Sequence, residues 1–171
     1  MRHSVLLHSV PAEILEAGRQ ETLRRSGKLL ARRAHSEAEL RAAMAEWGCC
    51  DEIADDAMAR LKELGLVDDL AFARQWVEER GCRKGLAVAR VWAELMVKGV
   101  APDIAQCAID EVSLDDEGRA EEVAAGLLRK VARRPLAHQA VSLQQMLVRR
   151  GFELETAMAA VKKVLPPEGW D

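Results

Sequence analysis

Three glycines, Gly48, Gly99 and Gly151, stand about fifty residues apart, and one apolar frame is repeated around each of them. Leu40, Val91 and Leu143 lie eight residues before; Met44, Leu95 and Leu147 lie four before. Ala57, Ala108 and Ala160 follow at nine residues, Met58, Ile109 and Val161 at ten, and Leu61, Val112 and Val164 at thirteen. Such spacings keep one side of the chain apolar only if it is helical on both sides of the glycine. The glycine itself ends a helix, because it enters the left-handed backbone region without a Cβ clash. The chain therefore reads as one helical hairpin unit written three times. Arrays of this kind usually present a long surface to a macromolecule rather than a pocket to a metabolite.

Local signals place the helices. Pro11 suits the first residue of a helix capped by Ser9 or Val10. Ile14, Leu15, Leu23, Leu29 and Leu30 continue it as a long helix, loosened at Gly18 or Gly27. After His35, Ser36-Glu37-Ala38-Glu39 forms a capping box, opening a second helix that runs to Trp47. A third begins near Asp51, acidic in its first turn as the helix dipole prefers, and ends at Leu64-Gly65. Asp68 or Asp69 caps the next, which carries Phe72, Ala73, Trp76 and Val77; Gly81 and Gly85 then bracket a basic turn, Cys82-Arg83-Lys84. Val88, Val91, Trp92 and Leu95 lead to Gly99, and Pro102 starts a helix with Ile104, Ala108, Ile109 and Val112 facing inward. Beyond an acidic linker, Asp115-Asp116-Glu117-Gly118, come a helix with Val123, Leu127, Leu128 and Val131 and another from Pro135 to Gly151. A last helix holds Met158, Val161 and Val164 and stops at Pro166-Pro167. No stretch alternates long enough for a sheet. The expected fold is all-α: three tandem three-helix units forming an elongated, curved helical-repeat array. Their bounds are residues 1–66, including an N-terminal extension, 67–114, and 115–171 with a short tail.

Length and composition agree with this class. A chain of 171 residues can bury a real core, and it is rich in strong helix formers. Its net charge of −3 argues against a general nucleic-acid binder. The charge is nevertheless laid out in blocks: basic from Arg19 to Arg41, acidic from Asp51 to Asp69, basic from Arg74 to Lys98, acidic from Asp103 to Glu122, basic from Arg129 to Lys163. The cysteines, Cys49, Cys50, Cys82 and Cys107, lack metal-ligand or redox spacing and read as small buried apolar residues. His3, His8, His35 and His138 are scattered, and no GxSxG, P-loop or HExxH occurs. Hence no enzyme, metal or cofactor is expected. The apolar stretch Val5-Leu6-Leu7 is too short for an export signal or a membrane span, which with free thiols suggests a cytoplasmic protein.

Individual residues can be weighed further. Asp68 and Asp69, at a helix start, read as caps, with one of the two free to bond across units or to a partner. Phe72, Trp76 and Trp92 sit at helical spacing and read as core, whereas Trp47 beside Gly48 could also be an exposed anchor. Arg83-Lys84, Arg149-Arg150 and Arg32-Arg33 give each unit a basic cluster that could meet phosphates or an acidic protein surface, or could be a solvated face.

The segment Leu29-Leu30-Ala31-Arg32-Arg33-Ala34-His35-Ser36-Glu37-Ala38-Glu39-Leu40 resembles the opening signature of the RecX family, regulators of the bacterial recombinase RecA. Leu61-Lys62-Glu63-Leu64-Gly65-Leu66-Val67-Asp68-Asp69-Leu70-Ala71-Phe72-Ala73-Arg74 is similar to that family's most diagnostic segment. Arg80, Gly85, Arg90, Glu94-Leu95, Lys98 and Gly99 follow in family-like order, as does Leu147-Val148-Arg149-Arg150-Gly151-Phe152. The resemblance is dense from Leu29 to Val112 and thinner beyond. It implies tandem three-helix units and a non-enzymatic modulator that binds RecA and its filament on DNA, lying in the filament groove. Such a modulator restrains ATPase and strand exchange and favours disassembly, acting in recombinational DNA repair and the SOS response. The recurring basic clusters make Arg32, Arg33, Arg80, Arg83, Lys84, Arg90, Lys98, Arg149 and Arg150 candidates for binding the recombinase or its filament, and Gly65, Asp68, Asp69, Phe72, Gly99 and Gly151 are the structural residues of the family motif. Glu46-Trp47 departs from the lysine that members commonly carry before the first glycine, and the mild acidity departs from their usual basic balance. DNA is then expected to be contacted only within the filament, by a monomer. A direct DNA-binding competitor and a helical adaptor for another protein are the alternatives.

Overall fold

The structure, a computed structural model, describes residues 12–166, which form nine α-helices with no strand among the described residues. They are α1 (Ala12–Leu30), α2 (Glu37–Glu46), α3 (Asp51–Glu63), α4 (Asp69–Trp76), α5 (Val88–Val97), α6 (Pro102–Val112), α7 (Asp116–Val131), α8 (Leu136–Val148) and α9 (Leu154–Val164). The cap expected before Pro11, the segment Val5–Leu7 and Trp170 lie outside the described residues. The chain divides into two compact bodies, Met1–Asp69 and Leu70–Asp171.

In the first body α1 and α2 both pack on α3 around Leu40, Met44, Ala57, Met58, Leu61 and Val67. Helix α1 is unbroken through Gly18 and Gly27. The reason is contact: a Cβ at Gly18 would lie 2.7 Å from Ile53 Cδ1, so the glycine lets α1 approach α3 rather than loosening it. On the same helix the hydroxyls of Thr22 and Ser26 donate to the carbonyls of Gly18 and Thr22, each at 2.8 Å. The small polar residues thus bury their own donors. Ser36 and Glu39 form the expected capping box on α2, and the Asp69 carboxylate accepts from the Glu37 amide at 2.8 Å.

The second body holds two apolar clusters. Phe72, Val77, Val91, Leu95, Val100 and Ile109 build one between α4, α5 and α6. Ala124, Val131, Leu143, Leu147, Phe152 and Val161 build the other between α7, α8 and α9. The positions eight and four before each repeated glycine, and nine and ten after it, are buried in all three repeats. Val112 and Val164 are only half-buried, and Met158 is exposed.

The repeated glycine has a clear mechanical role. Gly48, Gly99 and Gly151 take φ of 75°, 73° and 94°. The following amide then reaches back to the carbonyl four before the glycine: Cys49 to Met44, Val100 to Leu95 and Phe152 to Leu147, at 3.1, 3.1 and 3.3 Å. This is the Schellman closure, in which the two residues so joined also make an apolar contact. It accounts for why both positions are apolar in each repeat.

Two expected loops are helical. Helix α4 passes directly into a π-helical segment, Val77–Arg83, so Gly81 does not bracket a turn. Its Cβ would meet Leu114 Cδ1 at 2.7 Å, and Gly81 is buried there. The Arg119 guanidinium donates to the Gly81 carbonyl and, at 2.7 Å, to that of Leu86, satisfying acceptors at the end of the π segment. Asp115–Gly118 is likewise no linker: Asp115 is the N-cap of α7, accepting from the Glu117 and Gly118 amides at 3.1 Å.

Candidate interaction surface

Some members of the alternating charge blocks pair with one another across helices. Arg19 of α1 pairs with Asp56 of α3, and Arg41 of α2 with Asp55 of α3 at 2.6 Å. Lys62 of α3 pairs with Glu37 of α2 at 2.6 Å. Arg74 of α4 pairs with Glu111 of α6, and Lys163 of α9 with Glu121 of α7 at 3.0 Å. In these pairs a basic and an acidic stretch meet across helices.

A shallow depression of about 350 Å³ on α4, the π segment and α5 gathers three of the predicted cations, Arg80, Arg90 and Lys98. It is lined by Trp76, Arg80, Arg90, Glu94, Val97 and Lys98, with Ala93 beside them. Trp76 stacks on buried Phe72 with ring centroids 5.7 Å apart. The Arg80 guanidinium lies 5.4 Å from the Trp76 ring centroid and Lys98 Nζ 5.0 Å from it, both within cation–π range. Glu94 ties the floor together. It accepts from Arg80 Nε and Nη2 at 2.6 and 2.7 Å and from Trp76 Nε1 at 3.2 Å, with Arg90 Nε at 3.7 Å. The Arg80 hydrogen bonds hold the Glu94 carboxyl below its ordinary 4.5 although burial pushes the other way. Two apolar features sit above this polar floor: the Trp76 ring, and Val97, whose relative exposure is 87%.

Trp76 and Trp92 are thus not core residues; both are half-buried at the margin of the cluster around Val91. Helical spacing predicted an inward face, but the cations beside Trp76 come from two elements that only folding brings together. Trp47 is also half-buried, with Arg25 5.6 Å from its ring centroid. Three of the four cysteines, Cys50, Cys82 and Cys107, are exposed, contrary to the buried reading, and all four are free.

The remaining predicted residues fall in different places. Arg83 and Lys84, at the end of the π segment, pair with Glu79 at 3.4 and 3.3 Å, within one helical turn. Arg150 donates to the Met146 carbonyl at 3.1 Å, and its own carbonyl accepts from the Ala87 amide at 3.0 Å. Gly151 next to it comes so near α5 that a Cβ would lie 2.8 Å from Arg90 Cβ. The second body therefore brings Arg90 beside Arg149-Arg150-Gly151. Arg32 and Arg33 belong to the first body, where Arg33 is fastened to the capping-box residue Glu39 at 2.9 Å. Among the structural residues, Gly65 takes φ of 66° after α3, and Phe72 is buried. Asp69 caps α2 rather than its own helix, and Asp116 does the same for α5, accepting from the Val88 amide at 2.9 Å. Burial raises the Asp116 carboxyl despite that amide and Arg119. Sequence reasoning missed Glu94 as the organiser and Val97 as the exposed rim; no local motif marks either.

Tandem three-helix domains with an aromatic, cation-lined surface define a helical-repeat protein with a candidate interaction surface. Comparison with known proteins gives the family. Models described as "RecX, first three-helix domain" and "RecX, second three-helix domain" match residues 26–61 and 68–109. A regulatory protein RecX of Mycobacterium avium is 33% identical over 161 residues, 92% of this chain and 93% of that protein. The RecX of Thermobifida fusca is 32% identical over 143 residues, 83% of this chain and 77% of that protein. The chain belongs to the RecX family of regulatory proteins. The crystal structure of RecX from Lactobacillus salivarius shares the fold, with a TM-score of 0.67 at 16% identity over 90% of this chain and 97% of that one.

Proposed function

We propose that this chain is a modulator of RecA that binds the recombinase and its filament on DNA along the filament groove. There it inhibits ATPase and strand exchange and favours loss of subunits. The observation that carries this reading is the gathering of Arg80, Arg90 and Lys98 around an accessible Trp76, in a chain of a regulatory family. An aromatic flanked by cations suits a macromolecular partner, because rings and guanidinium groups supply most hot-spot energy in interfaces.

In this reading the partner is chiefly protein. The net charge is −3 and Arg19, Arg41, Lys62 and Lys163 are paired within the chain, so in this reading DNA is contacted within the filament rather than gripped alone. In the same reading three units, 1–66, 67–114 and 115–171, each centre on one apolar cluster, although Val67 packs in the first cluster and Ala87 in the third. A cytoplasmic monomer then meets several protomers through modest contacts joined by one chain. The test is binding of the fluorescently labelled protein to preformed RecA filaments on single-stranded DNA and, separately, to the bare DNA. Saturable binding to filaments at concentrations leaving bare DNA free supports the proposal. Equal affinity for both would make it a DNA competitor.

A further inference from the structure

We propose that the depression around Trp76 docks an acidic segment of a protein partner that carries one apolar side chain. The inference deepens the function proposed above and rests on it. Three cations and one carboxylate line the depression, and the carboxylate is already committed: Glu94 holds Arg80 in a two-point bond and takes the Trp76 Nε1 proton donor. What faces outward is the less engaged charge of Arg90, whose side chain is 59% exposed, beside the bare methyl groups of Val97. A carboxylate on the partner would meet Arg90, and an aliphatic side chain would cover Val97 and the Trp76 ring. The arrangement is set before binding, since the ring is stacked on Phe72 and Arg80 is fixed, so little ordering is required of this side.

A nucleic-acid strand suits the same place poorly. Its phosphates could meet Arg90 but would leave the exposed methyl groups of Val97 uncovered, whereas a peptide supplies a carboxylate and an aliphatic side chain together.

The repeats sharpen the assignment. Arg25 and Trp76 both stand twenty-three residues before their repeated glycine, and Trp47 and Lys98 both stand one before. Each pair makes a cation–π contact, with the cation and the ring exchanged between repeats. The third repeat places Leu128 and Arg150 at these positions. The framework is therefore common, but its rim is not. Where the second repeat has Arg90 and Val97, the first has Glu39 and Glu46. Only the second combines the ring with a cationic, apolar rim, and so the acidic segment belongs there.

The experiment uses the full chain and a labelled short peptide with glutamates on both sides of one leucine. Control peptides replace the leucine by serine or the glutamates by glutamine. Val97→Glu and Arg90→Glu alter exposed side chains, with folding checked by circular dichroism. The wild type should bind the first peptide saturably, and each variant and each control should weaken binding by about tenfold. Absence of saturable binding, or equal binding by folded variants, overturns the proposal. So does loss of oligothymidylate binding, rather than peptide binding, in the same variants. RecA ATPase measured in parallel separates the two readings. Inhibition by the wild type without peptide binding overturns the docking site and leaves the modulator standing; absence of inhibition overturns the modulator itself.

Discussion

Glu94 concentrates more of the chemistry than any cation around it. Its side chain is 16% exposed and that of Arg80 28%, so their two-point bond is partly sheltered from solvent. Charge-assisted hydrogen bonds of this kind are worth roughly 1.5–3 kcal/mol when sheltered, and partial exposure reduces that toward about 1–2 kcal/mol. Glu94→Gln should lower stability by that amount at neutral pH, read as the urea midpoint. The pH dependence follows from the lowered carboxyl: its contribution is full above the ordinary glutamate range and is lost as pH falls through the depressed folded value. The gap between wild type and variant should therefore be constant at neutral pH and close in acid; a gap that persists unchanged in acid would place the effect elsewhere. Glu94 could be seen in the sequence only as one residue in family-like order. Its role depends on α5 packing against the π segment that carries Arg80, and no spacing rule within one helix reports that.

At the scale of elements, the glycine frame was legible because a Schellman closure imposes it locally. Its consequences still differ between repeats. At Gly48 an added Cβ would meet nothing within 4 Å, so Gly48→Ala carries only the cost of a left-handed alanine, roughly 1–2 kcal/mol. At Gly151 the same change adds a 2.8 Å approach to Arg90 Cβ, and the loss should be larger, about 2–4 kcal/mol. Chemical denaturation of the two variants side by side checks the order. The π segment was not legible. Gly81 and Gly85 look alike in sequence, yet only Gly85 takes positive φ, while Gly81 stays in the helix under Leu114. Arg119, far along the chain, braces the end of the segment, in addition to the Gly85 amide that donates to the Gly81 carbonyl at 3.0 Å. Arg119→Met should leave the Gly81 and Leu86 carbonyls without that donor and cost about 1–3 kcal/mol. Faster amide exchange confined to Val77–Val88 would locate the effect, and unchanged exchange there would refute it.

For the whole molecule, charge was the feature most easily misread. The blocks are plain in the sequence, but their meaning is mutual: Arg41 answers Asp55, and Lys163 answers Glu121. Single members of a basic run in one helix thus pair with an acidic run in another. Beside these pairs stand the small cationic and aromatic surface on α4, the π segment and α5, and a family whose members are regulators. The most direct measurement of the central claim is the single-stranded-DNA-dependent ATPase of the cognate RecA, with this protein titrated at fixed salt and bare-DNA binding followed in the same buffer. Inhibition should set in well below the concentration that coats the DNA, and Arg90→Glu should shift it to higher concentration. Inhibition that begins only where bare DNA is saturated, or none at any concentration, would contradict the account.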